Sequence, residues 1–139
     1  MANDLVRVME EADNLTGQAT AAITGKRFLR ISGARAHKFN VLGTTPSDNS
    51  YKVAPCNAVG MKAIGAAKYD QANIGGKVGI ARGGICPVLA GAAITAGVEI
   101  MTDATGQAIP FVSAAGQYAI GLAMDDAASG TDAEVLLYD

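Results

Sequence analysis

Residues able to act as a nucleophile or general base are scarce in this chain. It has one histidine, His37, and two cysteines, Cys56 and Cys86. A thiol paired with an imidazole is a recognised nucleophile and base, but no motif joins these three residues. We expect an exposed histidine and two buried cysteines that pack as small apolar groups. Whether the cysteines are bonded stays open, and a small thiol-dependent enzyme is kept as the weakest alternative.

The sequence gives equally little support for a metal site or a phosphate-binding loop. Four carboxylates at 125, 126, 132 and 134 could hold a hard cation, although solvated acidic turns are far more common. The segments 24–27 and 75–78 each contain Gly-Lys. A phosphate-binding loop needs an earlier glycine and a hydroxyl after the lysine, and both segments lack both. We expect no catalytic residue, no metal site and no cofactor.

A repeated pattern describes the scaffold instead. Ala-Ile-Gly-x-Ala-x-x-Asp occupies residues 63–70 and again 119–126. Each copy leads through a turn into a second apolar stretch, at 78–81 and at 135–138. This order predicts one β-hairpin unit used twice, with Gly65 and Gly121 in equivalent positions.

The composition favours a β fold. Half of the 139 residues are hydrophobic, 5% are aromatic, and 17 are glycine. Short apolar runs alternate with dense turn signals, which predicts one mainly β domain, a small Gly-rich β-barrel or sandwich, over residues 25–139. Residues 1–24 are predicted as an N-terminal arm. It is either extended or one short helix, because Leu5, Val8 and Met9 have helical spacing.

Charge is strongly segregated along the chain. All 11 Lys and Arg residues lie at or before Arg82, whereas residues 83–139 carry seven acids. Five of the bases fall within 26–38. This distribution fits either two solvated faces or complementarity between copies or with a charged partner. The net charge of -2 argues against direct nucleic-acid binding, and the apolar run 85–98 is too short to span a membrane.

Several stretches taken together resemble one known family. They lie, in order, at residues 15–32, 53–56, 63–65, 76–80, 82–88, 93–100, 103–110 and 116–123. Their residues and spacing are similar to those of the decoration, or cement, proteins of tailed-phage heads. The resemblance covers most of residues 15–138, and its closest part runs from Ala93 to Pro110.

The resemblance implies a non-enzymatic protein of β-barrel, tulip-like form, similar in role to the lambda-type head decoration protein. It implies a homotrimer on the outer surface of the virion capsid, with the major capsid protein as partner. The arm and the basic stretch behind it supply the expected capsid contacts, which are Leu5, Val8, Met9, Leu15, Arg30 and Arg35. The main alternative is the anchoring or receptor-binding β module of a head fibre.

Overall fold

The structure, a computed structural model, describes residues 14–34 and 50–138. These residues form strands, turns and loops without a helix. The prediction of a mainly β, barrel-type fold is therefore confirmed. The ten strands are β1 Asn14–Ala19, β2 Phe28–Gly33, β3 Tyr51–Pro55, β4 Gly65–Ala67, β5 Lys77–Ala81, β6 Ile85–Leu89, β7 Glu99–Thr102, β8 Ala108–Pro110, β9 Gly121–Ala123 and β10 Asp132–Leu137.

The first five strands close into a barrel in the order β1-β3-β2-β4-β5. β1 pairs parallel with β3 and antiparallel with β5, and the remaining pairs are antiparallel. Alternating residues point inward and form a small core of Ala19, Ile23, Leu29, Val53, Ala67, Val78 and Ile80. Small and β-branched side chains suit the narrow interior of a five-stranded barrel.

The last five strands form a sheet in the order β6-β10-β9-β7-β8. Its two edges meet at a parallel bridge between Ala90, directly after β6, and Ala108 of β8. The Gly91 N–H donates to the Ala108 carbonyl oxygen at 2.8 Å. This bridge brings the two edges of the sheet together, and we call the curled sheet the second barrel.

The two barrels share one topology. Strands β6 to β10 correspond in order to β1 to β5, and corresponding strands pair in the same directions. The Ala90–Ala108 bridge takes the place of the parallel β1–β3 ladder. Isolated antiparallel bridges also correspond, Ile23 with Gln71 and Ile94 with Ala127. The predicted pair of hairpins is confirmed as β4–β5 and β9–β10, and the repeat extends to the whole five-stranded unit.

The aspartate of the repeated pattern has the same structural role in both barrels. Asp70 Oδ1 accepts a hydrogen bond from the Gly25 N–H at 2.7 Å, and Asp126 Oδ1 accepts one from the Ala96 N–H at 2.8 Å. Each carboxylate thus satisfies a backbone donor in the loop before the second strand of its barrel. The pattern Ala-Ile-Gly-x-Ala-x-x-Asp therefore encodes a hairpin together with the bond that fixes the adjacent loop.

The barrels pack against each other through outward-pointing residues of the first. Phe28, Cys56 and Ala66 belong to the same hydrophobic cluster as the interior of the second barrel. The Phe28 N–H donates to the Gly106 carbonyl at 2.7 Å. Lys26 Nζ lies 2.6 Å from Asp132 Oδ2 across the junction. The two barrels therefore share a single apolar core cluster.

The predicted arm covered residues 1–24. Residues 1–13 lie outside the described residues, but β1, at residues 14–19, is a barrel strand. It pairs with β3 on one side and with β5 on the other, and these two pairings close the barrel. The edges of β3 and β5 are thereby paired. The division of the chain into an arm and a domain stays a prediction. Residues 14–24, which the sequence predicts as part of the arm, belong to the barrel.

Candidate binding surfaces

The sulfur atoms are in positions that suit packing rather than catalysis. Cys56 and Cys86 are both buried free thiols, which answers the question of a disulfide between them. Burial raises the pKa of Cys56 to about 11, against a smaller opposing effect of its hydrogen bond with Thr102. The thiol is therefore protonated at neutral pH, whereas a nucleophilic cysteine must be a thiolate. His37 lies outside the described residues.

Three of the four acidic residues named from the sequence are used in turns and pairs. Asp126 accepts the Ala96 N–H, Asp125 Oδ1 accepts the Asp126 N–H at 2.8 Å, and Asp132 pairs with Lys26. Across residues 14–34 and 50–138, no group of three or more His, Cys, Asp or Glu side chains is arranged to hold a metal ion. The same residues include no helix long and apolar enough to cross a membrane.

Two of the six expected capsid contacts fall within the described residues. Leu15 lies on β1, is half-buried, and packs against the core of the first barrel. Arg30 lies on β2, is half-buried, and its Nε has no hydrogen-bond partner among the described residues. The other four, Leu5, Val8, Met9 and Arg35, lie outside the described part of the chain.

The charge segregation of the sequence becomes a segregation between barrels. The described residues 14–34 and 50–82, which build the first barrel, contain eight Lys and Arg residues and one acid, Asp70. Residues 83–138, which build the second, contain six acids and no base. The first barrel is therefore basic and the second acidic. The two charges meet at the Lys26–Asp132 ion pair.

An open groove lies where the two barrels meet. It is lined by two cations of the first barrel and two tyrosines of the second, Lys62, Arg82, Tyr118 and Tyr138, over a floor of Ala63, Ala119 and Ile120. Lys62 Nζ lies 4.8 Å from the centre of the Tyr118 ring, within cation–π range. Tyr138 donates to Glu99 Oε2 at 3.1 Å. Partial burial, and then this carboxylate, raise the pKa of Tyr138.

Sequence reasoning missed this groove, although the repeat held a signal for it. Lys62 and Tyr118 each directly precede the Ala-Ile-Gly of a repeat copy, so they occupy equivalent positions in the two barrels. Arg82 and Tyr138 also follow β5 and β10 directly, but the strand register makes Leu137 the equivalent of Arg82. At the equivalent positions 62 and 118 the two units therefore face each other across the groove, and one supplies a cation where the other supplies an aromatic ring.

Comparisons with known proteins place these features in a family. The sequence model of a family described as phage cement protein matches residues 9–138, which include both barrels. The fold is similar to the "head fiber gp8.5 N base in bacteriophage phi29", with a TM-score of 0.64 and 19% sequence identity. That match covers 90% of this chain and 92% of the other. None of the curated proteins compared with the chain matches it.

Proposed function

Because this chain belongs to the phage cement protein family, we propose that it binds across junctions between capsomers and holds them together. It is a structural protein of the virion and lies on the outer surface of the capsid. The observation that carries the proposal is the extent of the family match, which spans both barrels and the groove between them. The major capsid protein is the proposed partner, and the proposed assembly is a homotrimer.

The physical basis of the proposal is bridging. Packaged DNA pushes outward on a phage head, and the junctions between capsomers are where the shell separates. A protein bound to several capsomers at once buries additional surface that must be exposed before they part. Three linked copies raise the effective concentration of each foothold, so weak individual contacts give tight binding.

The proposed capsid-facing surface is the basic wall of the first barrel together with the groove. Tyrosine and arginine are enriched among the residues that dominate protein–protein binding energy, and the groove holds both. Lys62 and Arg82 give it a preference for an acidic segment of the shell. Arg30 and Arg35 extend the same charge and are kept as proposed contacts.

The direct experiment adds the purified protein to phage heads that lack it. We expect cosedimentation with the heads and release of DNA only at a higher temperature. An Arg82→Glu variant should bind at least about tenfold more weakly, because repulsion replaces attraction at the contact. Lys52→Glu makes the same charge change on β3, outside the groove, and so measures the loss that a reversal elsewhere on the basic wall causes. Failure of the wild-type protein to bind heads would refute the function, and equal binding by both variants would refute the groove.

A docking role for the N-terminal arm remains part of the proposal. Since β1 begins at Asn14, the deletion that leaves the barrel complete removes residues 1–13. We expect the shortened protein to melt like the wild type and to lose binding to heads. Wild-type binding by the shortened protein would exclude Leu5, Val8 and Met9 as contacts.

The base of a head fibre is the second candidate, favoured by the structural similarity to the phi29 head fibre base. The two functions differ in what lies outside the barrels on the virion. A cement protein forms a flat feature over the capsomer junctions, whereas a fibre base carries a stalk that projects from the head. A cryo-EM map of the virion distinguishes them, and a projecting stalk on each bound assembly would favour the second.

A further inference from the structure

One outward row of the first barrel forms its contact with the second barrel. The row crosses β5, β4 and β2 through the paired residues Ala81, Ala66 and Phe28, and it continues to Cys56 after β3. Phe28, Ala66 and Cys56 are fully buried in the shared cluster, and Ala81 packs against it. These side chains point away from their own barrel core, so the second barrel is what covers them.

The second barrel has the equivalent row, but nothing in the described part of the molecule covers it fully. Leu136, Leu122 and Glu99 are paired across β10, β9 and β7 just as Ala81, Ala66 and Phe28 are in the first barrel. Ile85 extends the row on β6, where it pairs with Leu136 and is 55% exposed. Leu122 and Leu136 are only half-buried. Three apolar side chains of this row, Ile85, Leu136 and Leu122, are thus left at the surface beside Glu99.

The other side of the contact between the barrels is also duplicated. The end of the second barrel that receives the first contains Thr102, which pairs with Ala108 and is fully buried. The Gly60 N–H of the first barrel donates to the Thr102 carbonyl at 2.8 Å. The equivalent residue of the first barrel is Ile31, which pairs with Val53 and is 48% exposed. A large apolar side chain at the equivalent end is therefore not fully covered by residues 14–34 and 50–138.

We propose that a second copy of this chain repeats the contact between the barrels: the Ile85–Leu136–Leu122 row of one copy packs against the Ile31 end of the first barrel of the next. The internal contact shows that a barrel of this topology covers such a row. Charge complementarity favours the same partner, because the row lies on the acidic barrel and the receiving end on the basic one.

The proposed contact is heterologous, since different surfaces of the two copies meet. A heterologous contact generates a closed ring when its rotation closes, and an open filament when it does not. A ring of three would be the proposed homotrimer. Only the number of copies, three, is taken from the proposed function. The test of the contact uses no phage heads, so its failure is distinguishable from a failure of capsid binding.

The test compares three isoleucines changed to glutamate, by sedimentation velocity and by thermal melting. Ile85→Glu alters the row and Ile31→Glu alters the receiving end. Ile74→Glu is the matched control, since Ile74 is 76% exposed in a turn of the first barrel. We expect the wild type and the control to assemble equally. Each of the other two should assemble at least about tenfold more weakly, because a carboxylate would be buried without a partner.

Mixing the two defective variants distinguishes a lost contact from a misfolded protein. Ile85→Glu retains an intact receiving end, and Ile31→Glu retains an intact row, so an equal mixture should form one-to-one heterodimers. A misfolded variant would not restore association in this way. Three results would overturn the proposal: a wild-type monomer at about 1 mM protein, wild-type assembly by Ile85→Glu, or a mixture that stays monomeric although both variants melt like the wild type.

Discussion

At the scale of single residues, packing decides most identities in this chain. The two glycines of the repeat lie where β4 and β9 leave no room for a side chain beside their partner strands. A methyl group on Gly121 would come 2.5 Å from Val135 Cγ1 and 2.7 Å from the Leu136 oxygen. One on Gly65 would meet the Ala81 carbonyl oxygen in the same way. The pattern keeps glycine in both copies because no side chain fits there.

Substituting valine at Gly65 or Gly121 should therefore lower the free energy of unfolding by at least about 1–3 kcal/mol, as for other overpacked sites. Gly33→Val is the control, since its Cβ would lie at an ordinary 3.6 Å from Lys52 Cβ. Chemical denaturation of the three variants measures the difference. Near-neutral results at both repeat glycines would contradict the close contact seen there.

Cys56 should make stability depend on alkaline pH. A thiol ionises at an ordinary pKa of 9.0 once unfolded, whereas burial raises the pKa in the folded protein to about 11. Between those values the unfolded state has lost the proton and the native state keeps it. The free energy of unfolding is therefore unaffected by ionisation of this thiol below pH 9. It falls by up to about 2–3 kcal/mol as the pH rises to 11. The difference in unfolding free energy between wild type and Cys56→Ala, followed from pH 8 to 11, measures it. A difference that does not change would show that the thiol is solvated.

At the scale of elements, the fold is one five-stranded unit built twice and joined through a buried row. The row on the first barrel combines Phe28 with small residues, Ala66 and Ala81, which let the second barrel approach. The corresponding row on the second barrel has the larger Leu122 and Leu136. The same topology thus carries a covered face in one copy and an apolar outer face in the other.

Phe28→Ala should lower the free energy of unfolding by about 3–5 kcal/mol, because it leaves a cavity in the cluster that both barrels share. The protein should still unfold in one transition. Tyr69→Ala, an aromatic truncation at a side chain that is 52% exposed, should cost far less. Separate melting of the two barrels in the Phe28 variant, observed by calorimetry, would show that they are stable independently.

At the scale of the whole molecule, charge is divided between a basic and an acidic barrel. Complementary charges at the edge of a contact mainly speed association, and salt screens them over a Debye length of roughly 10 Å at 0.1 M. An arrangement with the basic barrel toward the shell would leave the acidic barrel outward. This arrangement is the proposal that salt-dependent binding kinetics can test.

Reversing Arg30 and Arg35 to glutamate should slow binding to phage heads at low salt, and the difference from wild type should shrink as salt rises. The isolated protein should keep its oligomeric state, because Arg30 alternates with Ile31 along β2 and so lies on the barrel wall rather than at the receiving end. Stopped-flow binding and light scattering give the two readouts. Monomers that bind at the wild-type rate would place these arginines between subunits instead.

The sequence by itself determined the β class, the duplicated hairpin, the family resemblance and the separation of charge. These depend on local signals: turn residues, strand periodicity, and the order of Ala-Ile-Gly-x-Ala-x-x-Asp. It did not reveal that β1 is a barrel strand, since pairing with β3 and β5 joins residues far apart in the chain. It also did not reveal the groove or the uncovered row. Whether an apolar residue such as Leu122 or Ala66 is covered depends on which barrel face meets another, and only the tertiary structure decides that.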